Sequence, residues 1–407
     1  MLSEKATREI SLFLILFLSS SYTICNDLWS SAVTIALWCV VPALLLLRSH
    51  LIRRGPFFAG IILIVCLGIS TVVNSENIRT YMILVFSYLV LILFVSQVDF
   101  QDFVDSYQNI MKILCKISLI GYVLFLLVPG LHNVLSIINS AGSRATNLIL
   151  YVASKHHLRN MGMFWEPGAF QSFVNLGLLF EISKRQTDKK TVLLYIVTIL
   201  TTYSTTGYIG MLLILMIPFF KREGNVKKKL LLLVGVFAVI VICYFTPAIN
   251  NLLFASSIKG QSTVFGKILN FFSGSSNSTV LSSADVRYNA VFEVWNAFTE
   301  RPLFGYGYSG LAERTYLYTH GMNTCTFLNW FASYGFLYGA VAIVGIILFS
   351  RKISSGAICI TLTVAILFAL TMSENYIQHA SIILLIIYGY TSMRKQPLSS
   401  DLGEERK

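Results

Sequence analysis

The chain has 407 residues, 55% hydrophobic and only 12% charged, with a net charge of +12. Soluble domains carry about 25% charged residues, so an ordinary soluble protein is excluded, and 29 Phe with 20 Tyr exclude a disordered polycation. What remains is a polytopic integral membrane protein, all-α, built as one membrane domain over 1–407.

Twelve apolar stretches are expected to span, at about 20 residues each: 10–25, 28–47, 57–73, 80–96, 113–129, 167–182, 191–204, 207–220, 230–246, 326–350, 355–372 and 376–392. The pair 191–204 and 207–220 is short and is separated only by the turn Ser204-Thr205-Thr206-Gly207. The first stretch lacks a small-residue cleavage site and is followed by another span, so it reads as a span and not a signal peptide. With the N-terminus cytoplasmic, 22 of the 31 lysines and arginines fall on the inner side, including the runs 184–190 and 221–229. That bias puts both termini inside. It also explains the basic runs as orientation anchors, with no nucleic-acid partner implied.

The seven cysteines lie in or beside spans, with no CxxC and no His at metal spacing, and read as buried small hydrophobes. The outer face holds the two longest connections, 130–166 and 247–325, and long loops in compact proteins are usually functional.

The first outer loop ends in Arg159-Asn160-Met161-Gly162-Met163-Phe164-Trp165-Glu166-Pro167-Gly168. Pro167 suits the first turn of a helix, which sets Glu166 at the helix N-terminus, where the dipole favours an anion. Glu166 therefore reads either as a cap or as one partner of Arg159 in a charged site at the membrane edge.

In the second outer loop, Ser282 and Asp285 resemble a capping box, and Ala290, Val291, Val294 and Phe298 recur at helical spacing up to Pro302. The segment reads as an amphipathic helix along the membrane, with Arg287 in its first turn, the unfavourable end for a cation. Gly305-Tyr306-Gly307-Tyr308-Ser309-Gly310 matches GxGxxG, but no strand precedes it, so a dinucleotide site is rejected. A tight turn presenting backbone N–H groups to a ligand through Gly305, Tyr306 and Gly307 remains. His320, followed by Asn323, stands just before the span at 326.

Nine cations lie outside, among them Arg144, Arg159, Arg287, Arg301 and Arg314, more than anchoring needs. Arginine suits bidentate phosphate binding. The outer carboxylates show neither DxD nor EF-hand spacing, which indicates no metal, and the inner face has no P-loop, which disfavours an ATP-driven machine. A phosphate-bearing substrate handled at the membrane surface is the economical expectation.

Arg159-x-x-Gly162-x-Phe164-x-Glu166-Pro167-Gly168 resembles the R-x-x-G-x-F-x-E-P-G segment of Wzy-type O-antigen and exopolysaccharide polymerases, in the O-antigen ligase–polymerase superfamily. Ser204-Thr205-Thr206-Gly207 resembles their S-x-T-G turn. Arg287 with Trp295, Pro302 and Gly305-x-Gly307 is similar to the second-loop pattern shared with O-antigen ligases, and His320, Asn323, Gly335 and Gly339 are similar to their His–Asn stretch before a Gly-containing helix. Ligases usually have His directly followed by Asn, whereas Gly321 and Met322 intervene here, which favours the polymerase.

The resemblance implies a metal-independent, cofactor-free, inverting glycosyltransferase of GT-C type in the bacterial inner membrane. Its substrates would be undecaprenyl-diphosphate-linked oligosaccharides, joined on the periplasmic side, with a chain-length regulator and a flippase as partners. Arg159 and Arg287 would hold the diphosphate, with Arg144, Arg301 and Arg314 as further contacts, and Glu166 or His320 would take the proton. An O-antigen ligase is the alternative. A lipid-linked glycan flippase is a weaker one, because the polar chemistry sits in outer loops and few ionisable residues lie within spans.

Overall fold

The computed structural model describes residues 3–20, 31–46, 52–128, 130–138, 144–148, 150–154, 159–221, 283–319, 323–372 and 374–392. Helices dominate. In chain order they are α1 (Glu4–Ser19), α2 (Ser31–Leu46), α3 (Arg54–Val73), α4 (Ile78–Gln97), α5 (Phe100–Leu127), α6 (Leu131–Val134), α7 (Pro167–Ser183), α8 (Lys189–Thr201), α9 (Thr205–Lys221), α10 (Ser283–Glu300), α11 (Tyr308–Thr319), α12 (Thr326–Ile353), α13 (Ala357–Thr371) and α14 (Ala380–Gly389).

Eleven of the twelve expected spans coincide with helices; the twelfth, 230–246, lies outside the described residues. By length and composition, four helices among the described residues are able to cross a membrane: α3, α4, α5 and α12. At 1.5 Å per residue the 13 residues of α8 extend only about 20 Å against an apolar core of about 30 Å. Large apolar side chains such as Val65, Ile113, Leu193 and Leu212 face outward from the bundle, the pattern of a protein surrounded by hydrocarbon.

Two boundaries differ from expectation for physical reasons. α5 starts at Phe100, well before the apolar run at 113. Its first half is amphipathic: Phe103, Val104, Tyr107, Ile110 and Met111 are buried, while Asp102 pairs with Arg8 at 2.8 Å on the other face. The last helix starts only at Ala380, because Glu374–His379 forms a polar connection at the bundle end.

The all-α expectation also needs correction. The loop expected at 130–166 contains a three-stranded antiparallel sheet of β1 (Ser136–Ile138), β2 (Arg144–Leu148) and β3 (Tyr151–Ser154), in the order β1-β2-β3. Its cause is alternation along β3. Tyr151 and Ala153 face α5, with the Tyr151 ring stacked on Phe125 at 5.6 Å, while Val152 joins the main core.

α7 is the axis of the bundle, with all seventeen of its residues buried. Hydrocarbon surroundings give no hydrophobic drive between helices, so close approach and hydrogen bonds must hold it. Tyr107 Oη donates to the Phe173 carbonyl at 2.8 Å, Gln108 Nε2 to the Gly177 carbonyl at 2.6 Å, and Asn175 Nδ2 to the Gly207 carbonyl at 3.1 Å. Near its C-terminal end, Phe103, Tyr107, Phe180, Phe349 and Tyr388 interlock edge-to-face and stacked. Each such pair contributes about 0.5–1.5 kcal/mol beyond area burial.

The second organising feature is a break in α12. Gly335 adopts φ 83° and ψ 175° in the middle of the helix, which interrupts the hydrogen-bond ladder. The connection from α10 to α11 fills the gap. Tyr306 N donates to the Ala332 carbonyl at 2.8 Å, Gly307 N to the Ser333 carbonyl at 2.9 Å, and Phe336 N to the Pro302 carbonyl at 2.8 Å. A Cβ at Gly335 would fall on the Leu303 carbonyl, and one at Gly305 on the Ser333 backbone.

Gly335→Ala is therefore expected to cost about 1–3 kcal/mol for its positive φ and more for the collision. Gly356, at φ +82° with open space around its Cα, supplies the comparison. Thermal denaturation in detergent should show a clearly larger drop for Gly335→Ala than for Gly356→Ala.

Candidate active site

The outer-loop motif closes onto α7 one residue at a time. Arg159, half-buried, donates from Nε to the Thr202 carbonyl at 2.9 Å, at the C-terminal end of α8. Asn160 is buried and binds Ser118 Oγ and Thr201 Oγ1 at 3.2 and 3.0 Å, while its Oδ1 accepts from Gly162 N at 3.1 Å. Gly162 takes φ +53° with the Phe170 ring against its Cα. Phe164 is buried and stacks on Phe173 at 4.5 Å. Glu166 then occupies the N-cap position of α7 with Pro167 behind it, yet its side chain makes no capping bond and is exposed. The cap reading of Glu166 is thus not the arrangement found.

The segment Ser204-Thr205-Thr206-Gly207, expected as a turn, opens α9 from Thr205 and sits beside this end of α7. Gln171 Nε2 reaches the Gly168 carbonyl at 2.8 Å and Thr206 Oγ1 at 3.4 Å, and Ser204 Oγ and Thr206 Oγ1 are 3.1 Å apart. The third wall comes from 374–379. Tyr376 Oη donates to Ser172 Oγ at 3.0 Å, His379 stacks on Trp165 at 4.6 Å, and Thr326 Oγ1 donates to the Glu374 carbonyl at 3.0 Å. Thr326 begins α12, so the 323–326 segment enters the same mouth. Asn323 is buried there, accepting from Thr315 Oγ1 at 2.9 Å. His320 itself lies outside the described residues. Of the expected residues, Arg159 is tied to the end of α8 next to Ser204, and Glu166 heads α7.

Arg301 and Arg314 belong to a second cluster, beside the α12 break. Arg314 grips Glu300 with two bonds, Nε to Oε2 at 3.1 Å and Nη2 to Oε1 at 2.6 Å, and reaches Glu293 at 3.6 Å. Tyr306 Oη also donates to Glu300. These bonds, the Arg314 contact first, hold the Glu300 carboxyl at about 2, and the Glu300 bond raises the Tyr306 hydroxyl in turn. Arg301 lies 4.4 Å over the Tyr306 ring and bonds Asn74 Oδ1 at 3.3 Å.

The Gly-rich turn does present backbone N–H groups, and a protein carboxylate takes them. Glu76 Oε1 accepts from Ser309 N at 2.7 Å and Gly310 N at 3.4 Å, and Glu76 Oε2 accepts from Ser309 Oγ at 2.8 Å. Gly305 and Gly307 are buried against α12 and Glu76. The Gly-rich turn expected to cradle a ligand through Gly305, Tyr306 and Gly307 is thus a packing joint.

Arg287 lies on α10, five residues into the helix. The helix rests on α12 and α11 through Val294, Ala297, Leu311 and Ala332, the face expected from the helical spacing of apolar residues. Arg144 opens β2, opposite Ile138 of β1. Sequence reasoning assigned no role to Glu374 or His379. The polar interruption Ser373-Glu374-Asn375 between two apolar runs was the available signal.

Residues 191–341 match the Wzy_C family model, described as O-antigen ligase. No curated protein matches the chain. The matched segment holds the Ser204–Gly207 turn, Arg287, Gly305, Gly307, His320 and Gly335; Arg159 and Glu166 precede it and Glu374 follows it.

The Glu300 carboxylate adds stability that is fully present above its ordinary value near 4.5 and fades as pH falls through about 2. A melting curve across that window should lose a step in Glu300→Gln. In a double-mutant cycle, Glu300→Gln with Arg314→Ala should be markedly less costly than the sum of the singles.

Proposed function

We propose that this chain, whose residues 191–341 match the O-antigen ligase family model, belongs to the O-antigen ligase–polymerase superfamily and joins undecaprenyl-diphosphate-linked oligosaccharide repeat units into O-antigen or another surface polysaccharide. The observation that carries the reading is the mouth around Glu166. This carboxylate is exposed and uncapped at the head of a buried helix, and Arg159 is tied to the neighbouring α8 terminus.

In this reading the protein is a GT-C-type glycosyltransferase of about twelve spans in the bacterial inner membrane, with both termini cytoplasmic and the mouth periplasmic. A hydroxyl of the acceptor repeat unit attacks the anomeric carbon of the donor glycan from the face opposite the diphosphate. The new glycosidic bond forms as the carbon–oxygen bond to undecaprenyl diphosphate breaks, with inversion. The hydroxyl proton passes to Glu166 or His320. The leaving diphosphate takes the bonding pair, and its charge is stabilised by Arg159 and Arg287. Guanidinium forks match phosphate oxygens geometrically, so the step asks for no metal. Arg144 is a further candidate contact for the glycan or diphosphate. Arg301 and Arg314 act through the fold, since their partners are Tyr306, Asn74, Glu293 and Glu300.

The description of the matching family favours a second reading, an O-antigen ligase passing the same donor glycan to lipid A–core. A deletion strain separates the two. Loss of a polymerase leaves single repeats on the lipid anchor, whereas loss of a ligase leaves long polymer unattached to it.

Arg159→Ala, Arg287→Ala and Glu166→Gln are expected to lower polymer formation at least about 100-fold while leaving protein in the membrane. The measurement is incubation of reconstituted protein with the lipid-linked repeat unit, with product sized by gel. Undiminished polymer in these variants, or loss of activity with chelator, would count against the site and the metal-free step respectively.

A further inference from the structure

The connection 374–379 touches both flanks of Glu166. On one side His379 stacks on Trp165, with ring centroids 4.6 Å apart and planes 21° from parallel. On the other, Tyr376 Oη reaches Ser172 Oγ at 3.0 Å and the Gly168 carbonyl at 3.4 Å. Glu374 presses its carboxylate on Gly168 so closely that a Cβ there would stand 2.5 Å from Oε1. The connection is itself anchored, because Thr326 Oγ1 donates to the Glu374 carbonyl at 3.0 Å and accepts from Tyr376 N at 2.9 Å. Pro167 has no N–H, so Gly168 carries the first N–H of α7. A carboxylate from 374 stands at this positive end, where one from Glu166 would otherwise be drawn back. Glu166 keeps an extended backbone, φ −146° and ψ 154°, and its side chain caps nothing.

We propose that Glu374 and His379 are positioning residues: their segment clamps Trp165 and Gly168 so that the Glu166 carboxylate points into the mouth and is kept from capping its own helix. This rests on the reading of Glu166 as a participant in glycosyl transfer. The clamp deepens that reading by naming what sets the geometry of Glu166. A misplacement of about 1 Å at a reacting group costs on the order of 100-fold in rate, so the clamp acts on turnover more than on substrate binding.

The test uses the full chain in proteoliposomes with undecaprenyl-diphosphate-linked repeat unit extracted from cells lacking the protein. kcat and KM are measured for wild type, Glu166→Gln, Glu374→Gln, His379→Ala, His379→Phe and Gly168→Ala. The clamp predicts a kcat drop of tenfold or more, with KM within about twofold, in Glu374→Gln and His379→Ala. His379→Phe, which keeps the stacked ring, should recover most of the loss. Gly168→Ala should fold, because the atom in its way is the end of a flexible side chain, and should show the same kcat drop by pushing Glu374 aside. Wild-type kcat in Gly168→Ala overturns the clamp even if Glu374→Gln fails to fold. Equal loss for His379→Phe and His379→Ala overturns the stacking half of it. Glu166→Gln reports separately: if it is as active as wild type, the reading of the site falls and the clamp falls with it, whereas an inactive Glu166→Gln beside a fully active Glu374→Gln and Gly168→Ala overturns the clamp alone.

Discussion

A backbone break inside a membrane helix frees polar groups that hydrocarbon cannot satisfy, at several kcal/mol each. The break at Gly335 is tolerated because Pro302–Gly307 supplies the missing partners one for one. The consequence reaches beyond α12. The connection that closes the break is also the hinge between α10 and α11, so both outer helices are fixed to the spanning bundle at one point. Asn74 extends the fixation to α3, since its Nδ2 reaches the Gly305 carbonyl at 3.3 Å, and Ser70 Oγ donates to the Ser333 carbonyl at 2.9 Å. The position of Arg287, further along α10, is inherited from this joint. Gly305, Gly307 and Gly335 are thus one feature seen from two stretches of sequence.

The other fixed element, α7, works by contrast through enclosure. A helix buried on every side has nowhere to face solvent, so its polar residues must be paired within the bundle. Gln171, Ser172 and Asn175 lie on one strip of it, at spacings of one, three and four residues, and they bind the 204–207 turn, Tyr376 and one another. That strip links the three walls of the mouth. The turn, the 374–379 connection and the outer loop are distant in sequence yet share α7 as their common register.

Runs of apolar residues located the helices well, although among the described residues only α3, α4, α5 and α12 reach the length and composition of a span. The readings that changed were those where tertiary contacts decide. The segment 100–112 precedes the apolar run at 113, yet it is helical because its apolar strip packs on α7 and Asp102 pairs with Arg8 of α1. The sheet at 136–154 was hidden by its short strands, whose pattern is only three to five residues long. The GxGxxG run was legible as a tight turn but not as a helix patch, since its partner carbonyls lie about 30 residues away in a segment that looks continuously helical. Arg159 and Glu166 could be named as candidates because their motif is local. Glu374 and His379 could not, because their contacts are with Gly168 and Trp165, some 200 positions earlier.

The outer charges separate by what already satisfies them. Arg314 is bound by two carboxylates, and a diphosphate would have to displace Glu300, whose ionised form is strongly favoured by that same contact. Exchanging one bidentate anion for another returns little, since the fork that suits phosphate suits carboxylate equally. Arg314 is therefore better placed to hold α10 against α11 than to hold substrate, and Arg301, stacked on Tyr306 next to it, extends the same patch. Arg159 belongs to a different element: its Nε donates to the Thr202 carbonyl at the C-terminal end of α8, where the negative end of the helix dipole favours a cation. That carbonyl fixes the direction of the Arg159 guanidinium, whereas Arg301 and Arg314 are set by Tyr306, Glu300 and Glu293.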